Sequence, residues 1–389
     1  MKRLFILTFL FSTFLPCRLL SAQGPQVEAS PRYRLLQVVE LSTLQEKINE
    51  TATEGYRLVG AVPAMGGTWA AIMEQTEAPS QPYKYVLLAR KEDHDFQARI
   101  NEAAAKGFRL LPRSVAQGRA KPPQLDLAWM EKSPRTLAVT QYRLIGFGAK
   151  MAARSTMNPM LWAETNPLHY IRPQINAALR QGYRIERVVP GAVVVMDKCS
   201  VGEEVENAAS DPSNRDPMSR YHCLGDYKAE KLQKRLQKEA LAGYHLLDFV
   251  PYAPTMWTAA LLVRAGTESS APGTARYRYV AFEKDLPELE QVLNSHAAEG
   301  FRLFPQSLLG SFQAQVHPNK PPHCRVVMEK APGMHGECRY RVLAAGRLSD
   351  LSAALEKAGA EGFRALGIAS FDNGLAVVME KPRRNLASE

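Results

Sequence analysis

TEGYRLVG, running from Thr53 to Gly60, carries the phrase that decides the fold. Variants of it return as AKGFRLLP from Ala105, RQGYRIER from Arg180, LAGYHLLD from Leu241, AEGFRLFP from Ala298 and AEGFRALG from Ala360. A glycine, an aromatic residue and a basic residue are thus written six times along a chain of 389 residues. Repeats of about 45–60 residues are the mark of modular architectures.

With Gly55, Gly107, Gly182, Gly243, Gly300 and Gly362 as anchors, the residues upstream fall into columns. Eleven before stand Leu44, Phe96, Ile171, Leu232, Leu289 and Leu351, and seven before stand Ile48, Ile100, Ile175, Leu236, Leu293 and Leu355. Three before stand Ala52, Ala104, Leu179, Ala240, Ala297 and Gly359. This i, i+4, i+8 stripe predicts one buried face of a helix, with Glu, Gln, Lys and Arg on the solvated remainder. Glycine then stops the helix, because it adopts positive φ without a Cβ penalty. The alternation Tyr56-Arg57-Leu58, repeated as Phe108-Arg109-Leu110 and Phe301-Arg302-Leu303, predicts a half-buried strand after it.

A strand led by tyrosine precedes each helix, at Tyr33, Tyr85, Tyr142, Tyr221, Tyr277 and Tyr340. A last strand closes each unit: AAIMEQ, LAWMEK, VVVMDK, AALLVR, RVVMEK and AVVMEK. The expected fold class is α+β: six tandem β-α-β-β units, antiparallel sheets with helices on one face. The units cover 32–75, 83–132, 141–198, 221–264, 276–330 and 338–381, the third with an insertion at 151–168. Units 1 and 4 share Pro63/Trp69 and Pro251/Trp257, and units 2 and 5 share Lys121-Pro122-Pro123 and Lys320-Pro321-Pro322. That alternation predicts two three-unit halves, joined by the polar linker 199–220.

The order Tyr-led strand, amphipathic helix, Glu-Gly-aromatic, Val-Met-Glu-Lys strand resembles a group of small uncharacterised bacterial β-α-β-β domains. They carry a Glu-Gly-Trp-Glu-Leu-like second strand, where this chain has Tyr or Phe for Trp and Arg or His for the acid. The resemblance implies a fold and brings no catalytic residues.

Lys2 and Arg3, a mostly apolar run from Leu4 to Leu15, and Ser21-Ala22 read as a secretory signal peptide spanning 1–22. Its removal takes away Lys2, Arg3 and Arg18, lowering the formal charge from +10 to +7. A moderately basic exported chain, periplasmic or extracellular, favours acidic neighbours such as envelope polymers or lipid headgroups, and its expected partner is an acidic envelope polymer or an unknown protein. Without a Lys/Arg block, nucleic acid is not expected.

Arg57, Arg109, Arg184, Arg302 and Arg364, with His245 in the same register, form a basic row. Glu74, Glu131, Asp197, Glu329 and Glu380 form an acidic row on the last strands. Two readings stand: cross-strand ion pairs, or a ladder that binds a polyanion. Four cysteines beyond the leader suggest the bridges Cys199–Cys223 and Cys324–Cys338, among three connectivities. His317, His323, Cys324, His335 and Cys338 match no metal-site spacing, and no metal or cofactor is expected. No catalytic motif is found. The unit 3 insertion, with Trp162, reads either as a packed loop or as a docking loop. The expected function is a non-catalytic binding or scaffolding protein with an unknown ligand. The alternative is a cell-envelope enzyme with a site between the halves.

Overall fold

The computed structural model describes residues 31–76, 82–89, 96–111, 116–117, 125–133, 139–146, 171–189, 193–199, 216–226, 229–252, 257–264, 275–282, 286–308, 324–330, 338–371 and 374–382. Arg32–Glu389 forms one body. Among the described residues, six helices, at Leu41–Thr53, Phe96–Ala105, Arg172–Arg180, Ala229–Leu241, Leu286–Ala298 and Leu348–Ala360, follow the predicted stripe. All six anchor glycines have φ between 83° (Gly182) and 92° (Gly55). At Gly362 the flanking amides return to the last turn, Gly362 N to Gly359 O at 2.9 Å and Phe363 N to Ala358 O at 3.0 Å. This satisfies carbonyls that a helix end otherwise leaves orphaned.

Each unit is a three-stranded antiparallel sheet with the third strand in the centre, flanked by the first and the second. Unit 2 adds a short strand, Ala116–Gln117, on its third strand. In unit 1, Tyr33–Val38 and Tyr56–Pro63 both pair with Trp69–Gln75. The last two strands are therefore the expected hairpin.

The central strands are buried on both faces. Ala71 and Met73 join the core of their own helix with Leu44, Ile48 and Ala52. Ala70 and Ile72, pointing the other way, join the core of unit 6 with Leu351, Leu355 and Val377. The same sharing runs along the chain. Unit 1's core takes in Tyr85 and Trp129 of unit 2, and unit 2's takes in Tyr142 and Val195 of unit 3. Unit 3's core takes in Tyr221 and Leu261 of unit 4, and unit 4's takes in Tyr277 and Val327 of unit 5. Unit 5's core takes in Tyr340 and Val378 of unit 6. Six joints result, and the sixth connects the last unit to the first. A unit of about 45 residues cannot bury enough apolar surface alone, so each sheet uses its second face on a neighbour. The two halves are continuous across this cycle.

Helix side chains close the open edge of the next unit's first strand. Asn49 Oδ1 accepts from Tyr85 N at 2.8 Å, and its Nδ2 donates to Tyr85 O at 2.9 Å. Asn294 repeats this on Tyr340, at 2.8 and 2.9 Å. Asn101 accepts from Tyr142 N at 2.6 Å and Gln237 from Tyr277 N at 3.4 Å, while Asn176 accepts from Met218 N at 2.8 Å, in the turn Pro217–Arg220 just before the unit 4 strand. In unit 6 the column holds Glu356, which accepts from Tyr33 N at 2.7 Å and Arg32 N at 3.0 Å. An exposed strand edge is a template for aggregation. Here it is satisfied inside the cycle.

Gly359 shows how tightly the closing joint is fitted. A Cβ there would lie 2.9 Å from Cε2 of Tyr33, a buried ring. Gly→Ala inside a helix ordinarily stabilises by about 1 kcal/mol. We expect Gly359→Ala to destabilise instead, by about 1–3 kcal/mol, measured by denaturant unfolding. A gain in stability would show that the closing joint is loose.

Candidate functional site

The repeated polar residues meet at the joints. Each leading tyrosine sits in the shared core, and its hydroxyl accepts a backbone N–H from the preceding unit, three residues past that unit's glycine. Leu58 N reaches Tyr85 Oη at 3.0 Å, and Leu110 N reaches Tyr142 Oη at 2.9 Å. Leu246 N reaches Tyr277 Oη at 2.9 Å, and Leu303 N reaches Tyr340 Oη at 2.8 Å. Ile185 N does the same for Tyr221. At the closing joint Ala365 N reaches Tyr33 Oη at 3.0 Å. The hydroxyls in turn donate to the carboxylate beside them: Tyr85 to Glu131 at 2.9 Å, Tyr277 to Glu329 at 3.2 Å, Tyr340 to Glu380 at 3.1 Å. Tyr33 lies 3.2 Å from Glu74. Burial, followed by the adjacent carboxylate, pushes the Tyr33 phenol up to about 12, and the Tyr85, Tyr277 and Tyr340 phenols also rise. They serve as neutral hydrogen-bond donors, not as bases.

The basic row finds partners at the same places. Arg57 grips Glu131 of unit 2 through Nε at 3.0 Å and Nη2 at 2.9 Å, although Glu74 is its strand neighbour. Arg364 of unit 6 reaches Glu74 of unit 1 at 3.4 Å. Unit 4 has Val263 opposite His245 where the others have an acid, and Arg184 of unit 3 pairs with Asp197 of its own sheet at 2.8 and 3.2 Å. At two joints the acid is thus held between a tyrosine of its own unit and an arginine of the preceding one: Glu131 by Tyr85 and Arg57, and Glu74 by Tyr33 and Arg364. Arg109 and Arg302 occupy the same register, opposite Glu131 and Glu329. Arg302 Nε is buried without a hydrogen-bond partner among the described residues.

A second clamp lies within units. The basic residue after the leading tyrosine covers the aromatic of the repeated phrase. Arg34 sits 4.5 Å over Tyr56, Arg143 5.3 Å over Tyr183, Arg278 5.4 Å over Phe301 and Arg341 4.4 Å over Phe363. Cation–π contacts of this kind add about 0.5–1 kcal/mol each at exposed sites. In unit 4, His222 stacks on Tyr244 with centroids 4.1 Å apart and bonds Glu239 at 2.8 Å.

One joint breaks its column. Four residues past the glycine, Val59, Leu111, Leu247, Phe304 and Leu366 pack on the preceding unit's core. Unit 3 has Glu186 there, bonded to Arg187, and Arg187 Nη1 donates to Leu111 O at 3.2 Å. Glu186 Oε2 and Arg187 Nε are buried without partners among the described residues. Replacing a buried pair by apolar residues is often neutral or stabilising. The double variant Glu186→Leu/Arg187→Met should therefore gain about 1–4 kcal/mol in denaturant unfolding. A clear loss would assign the pair an indispensable structural role.

Cys223 and Cys338 are free thiols. Cys223 lies in the shared core of units 3 and 4, where the other units carry apolar residues, and burial pushes its thiol up to about 12. Cys338 lies in the shared core of units 5 and 6, its thiol pushed up to about 11 by burial and Glu380. Both act as small apolar side chains. The side chains of Cys199 and Cys324, and residues Trp162, His317, His323 and His335, lie outside the described residues. Among the described residues no cluster of ligating side chains is suited to a metal, and no helix is long and apolar enough to cross a membrane.

Glu329 gives a pH prediction. Burial raises its carboxyl above the ordinary value, opposed by the Tyr277 hydroxyl and His245. A raised acid favours the protonated folded state, so its contribution is present at low pH and lost as pH rises through the folded value. Glu329→Gln should therefore gain thermal stability relative to the parent as pH climbs past the carboxylate range. A constant difference from pH 4 to pH 8 would contradict it.

Comparison with models of known protein families finds no match, and comparison with curated proteins finds none.

Proposed function

We propose that the chain is an exported, non-catalytic scaffolding or binding protein of the periplasm or cell exterior, built from units like the small bacterial domains its motifs resemble. The observation that carries this reading is where the repeated chemistry goes. The tyrosine, amide, acid and several basic columns are engaged in the joints. What six copies have in common is thus a way of closing a cycle. Recognition then falls to features that differ among units, with an acidic envelope polymer or a protein as partner. The sheet edges engaged within the cycle weigh against assembly through strand addition.

The test is a thermal-unfolding titration of the chain from Gln23 onward with poly-L-glutamate, using neutral dextran as control. Saturable, salt-sensitive stabilisation by the polyanion is expected. No response to either polymer, together with turnover of ester, glycoside or peptide probes, would favour the envelope-enzyme alternative.

A further inference from the structure

The six helices occupy equivalent places, so each is a control for the others. On the solvent side of the unit 4 helix stand Lys231, Lys234, Lys238 and Leu241, spaced three, four and three residues apart. At 100° per residue they share one stripe, opposite the buried Leu232, Leu236 and Ala240. All four are exposed, and Leu241, 61% exposed, is one of two large apolar side chains so exposed among the described residues. The same positions hold Thr43, Glu46, Glu50 and Thr53 in unit 1, and Asp95, Ala98, Glu102 and Ala105 in unit 2. They hold Glu288, Gln291, Ser295 and Ala298 in unit 5, and Asp350, Ala353, Lys357 and Ala360 in unit 6. Unit 3 contributes Tyr170, Pro173, Ala177 and Arg180. Three lysines ending in an exposed leucine occur only in unit 4.

The stripe has no task in the joints. Gln233 and Gln237 of this helix make the contacts to Tyr277 and Tyr279. Glu239, turned the other way, holds His222. Glu230, beside Lys231 at the helix start, is the acidic residue of the first turn.

We propose that this face docks the protein on an anionic lipid bilayer. Lysines draw the helix to phosphate headgroups, and their long stems leave the charge in the interface. Leu241 enters the boundary below the headgroups, as apolar residues of surface-lying helices do. A soluble polyanion would use the lysines and leave the leucine in water, so the leucine is the reason to choose the bilayer. This names a surface for the scaffold proposed above and rests on that reading. Its failure is distinguishable, because the poly-L-glutamate titration reads the whole chain and not this stripe alone.

The experiment is co-sedimentation of the chain from Gln23 onward with phosphatidylglycerol-containing vesicles, and with phosphatidylcholine vesicles alone. Salt-sensitive binding to the first only is expected. Lys231→Gln/Lys234→Gln/Lys238→Gln should lower partitioning about 100-fold. Leu241→Ser should lower it about tenfold at unchanged salt dependence. Lys357→Gln, at an equivalent place in unit 6, should leave it unchanged. Since the stripe is solvent-facing, thermal unfolding of each variant should match the parent, separating docking from folding. The proposal is overturned by an absence of parent binding, by a triple variant that binds as the parent does, or by a leucine substitution without effect.

Discussion

Tyr33→Ala is expected to cost about 3–5 kcal/mol and to turn one unfolding transition into a broadened or split one. Tyr33 is 2% exposed and lies among Leu351, Leu355, Phe363 and Ile368 of unit 6. Its removal opens a cavity the size of a phenol in a core shared by the first and last units. It also strips the acceptor from Ala365 N and a neighbour from Glu74. The backbone amide at Ala365 is buried, so losing its partner adds a desolvation cost. The other five joints are untouched. What remains is a linear array, and linear arrays of repeats lose cooperativity from their free ends. Hydrogen exchange should show units 1 and 6 opening first. A single transition as sharp as the parent's would mean that the sixth joint carries little coupling.

Asn294→Leu should cost about 2–5 kcal/mol, although it raises helix propensity and keeps the side-chain volume nearly constant. The amide of Asn294 serves both the N–H and the C=O of Tyr340. Leucine leaves both backbone groups facing an apolar surface at a strand edge. An unsatisfied buried polar group costs about 1–3 kcal/mol, and here there are two. Chemical denaturation reads the loss. Asn294→Asp separates the contributions, since a carboxylate still accepts from Tyr340 N but no longer donates to its carbonyl. A stability equal to the parent in Asn294→Leu would show that water satisfies this edge.

The helices, glycines and strands were legible because periodicity is a local property. Leu44, Ile48 and Ala52 mark their helix face without reference to any other part of the chain. The joints were not legible in the same way. Tyr33 and its equivalents read as strand openers, and nothing local shows that their hydroxyls reach another unit. Arg57 has Glu74 opposite it in its own sheet, yet its side chain reaches Glu131 of the next unit. One signal was available. Asn49, Asn101, Asn176, Gln237, Asn294 and Glu356 form a column in mid-helix, and asparagine is a poor helix former that competes for backbone hydrogen bonds. Its recurrence there marked a docking contact. The second buried face of the third strands was also visible, in runs such as Val193 to Met196, which read as continuous rather than alternating. The even cysteine count carried no sign that Cys223 occupies a column held by apolar residues in the other units.

The sixth joint repeats the pattern of hydroxyl, acid and core sharing found at the others, with Glu356 standing in for the amide. It is the one joint whose partners are not consecutive in sequence. The covalent break between unit 6 and unit 1 therefore carries no structural role that the fold depends on. A circular permutant that fused the two ends through a flexible linker and opened between units 3 and 4 should reach the same native state. New termini would then fall in the polar stretch of sequence between Cys199 and Asp216.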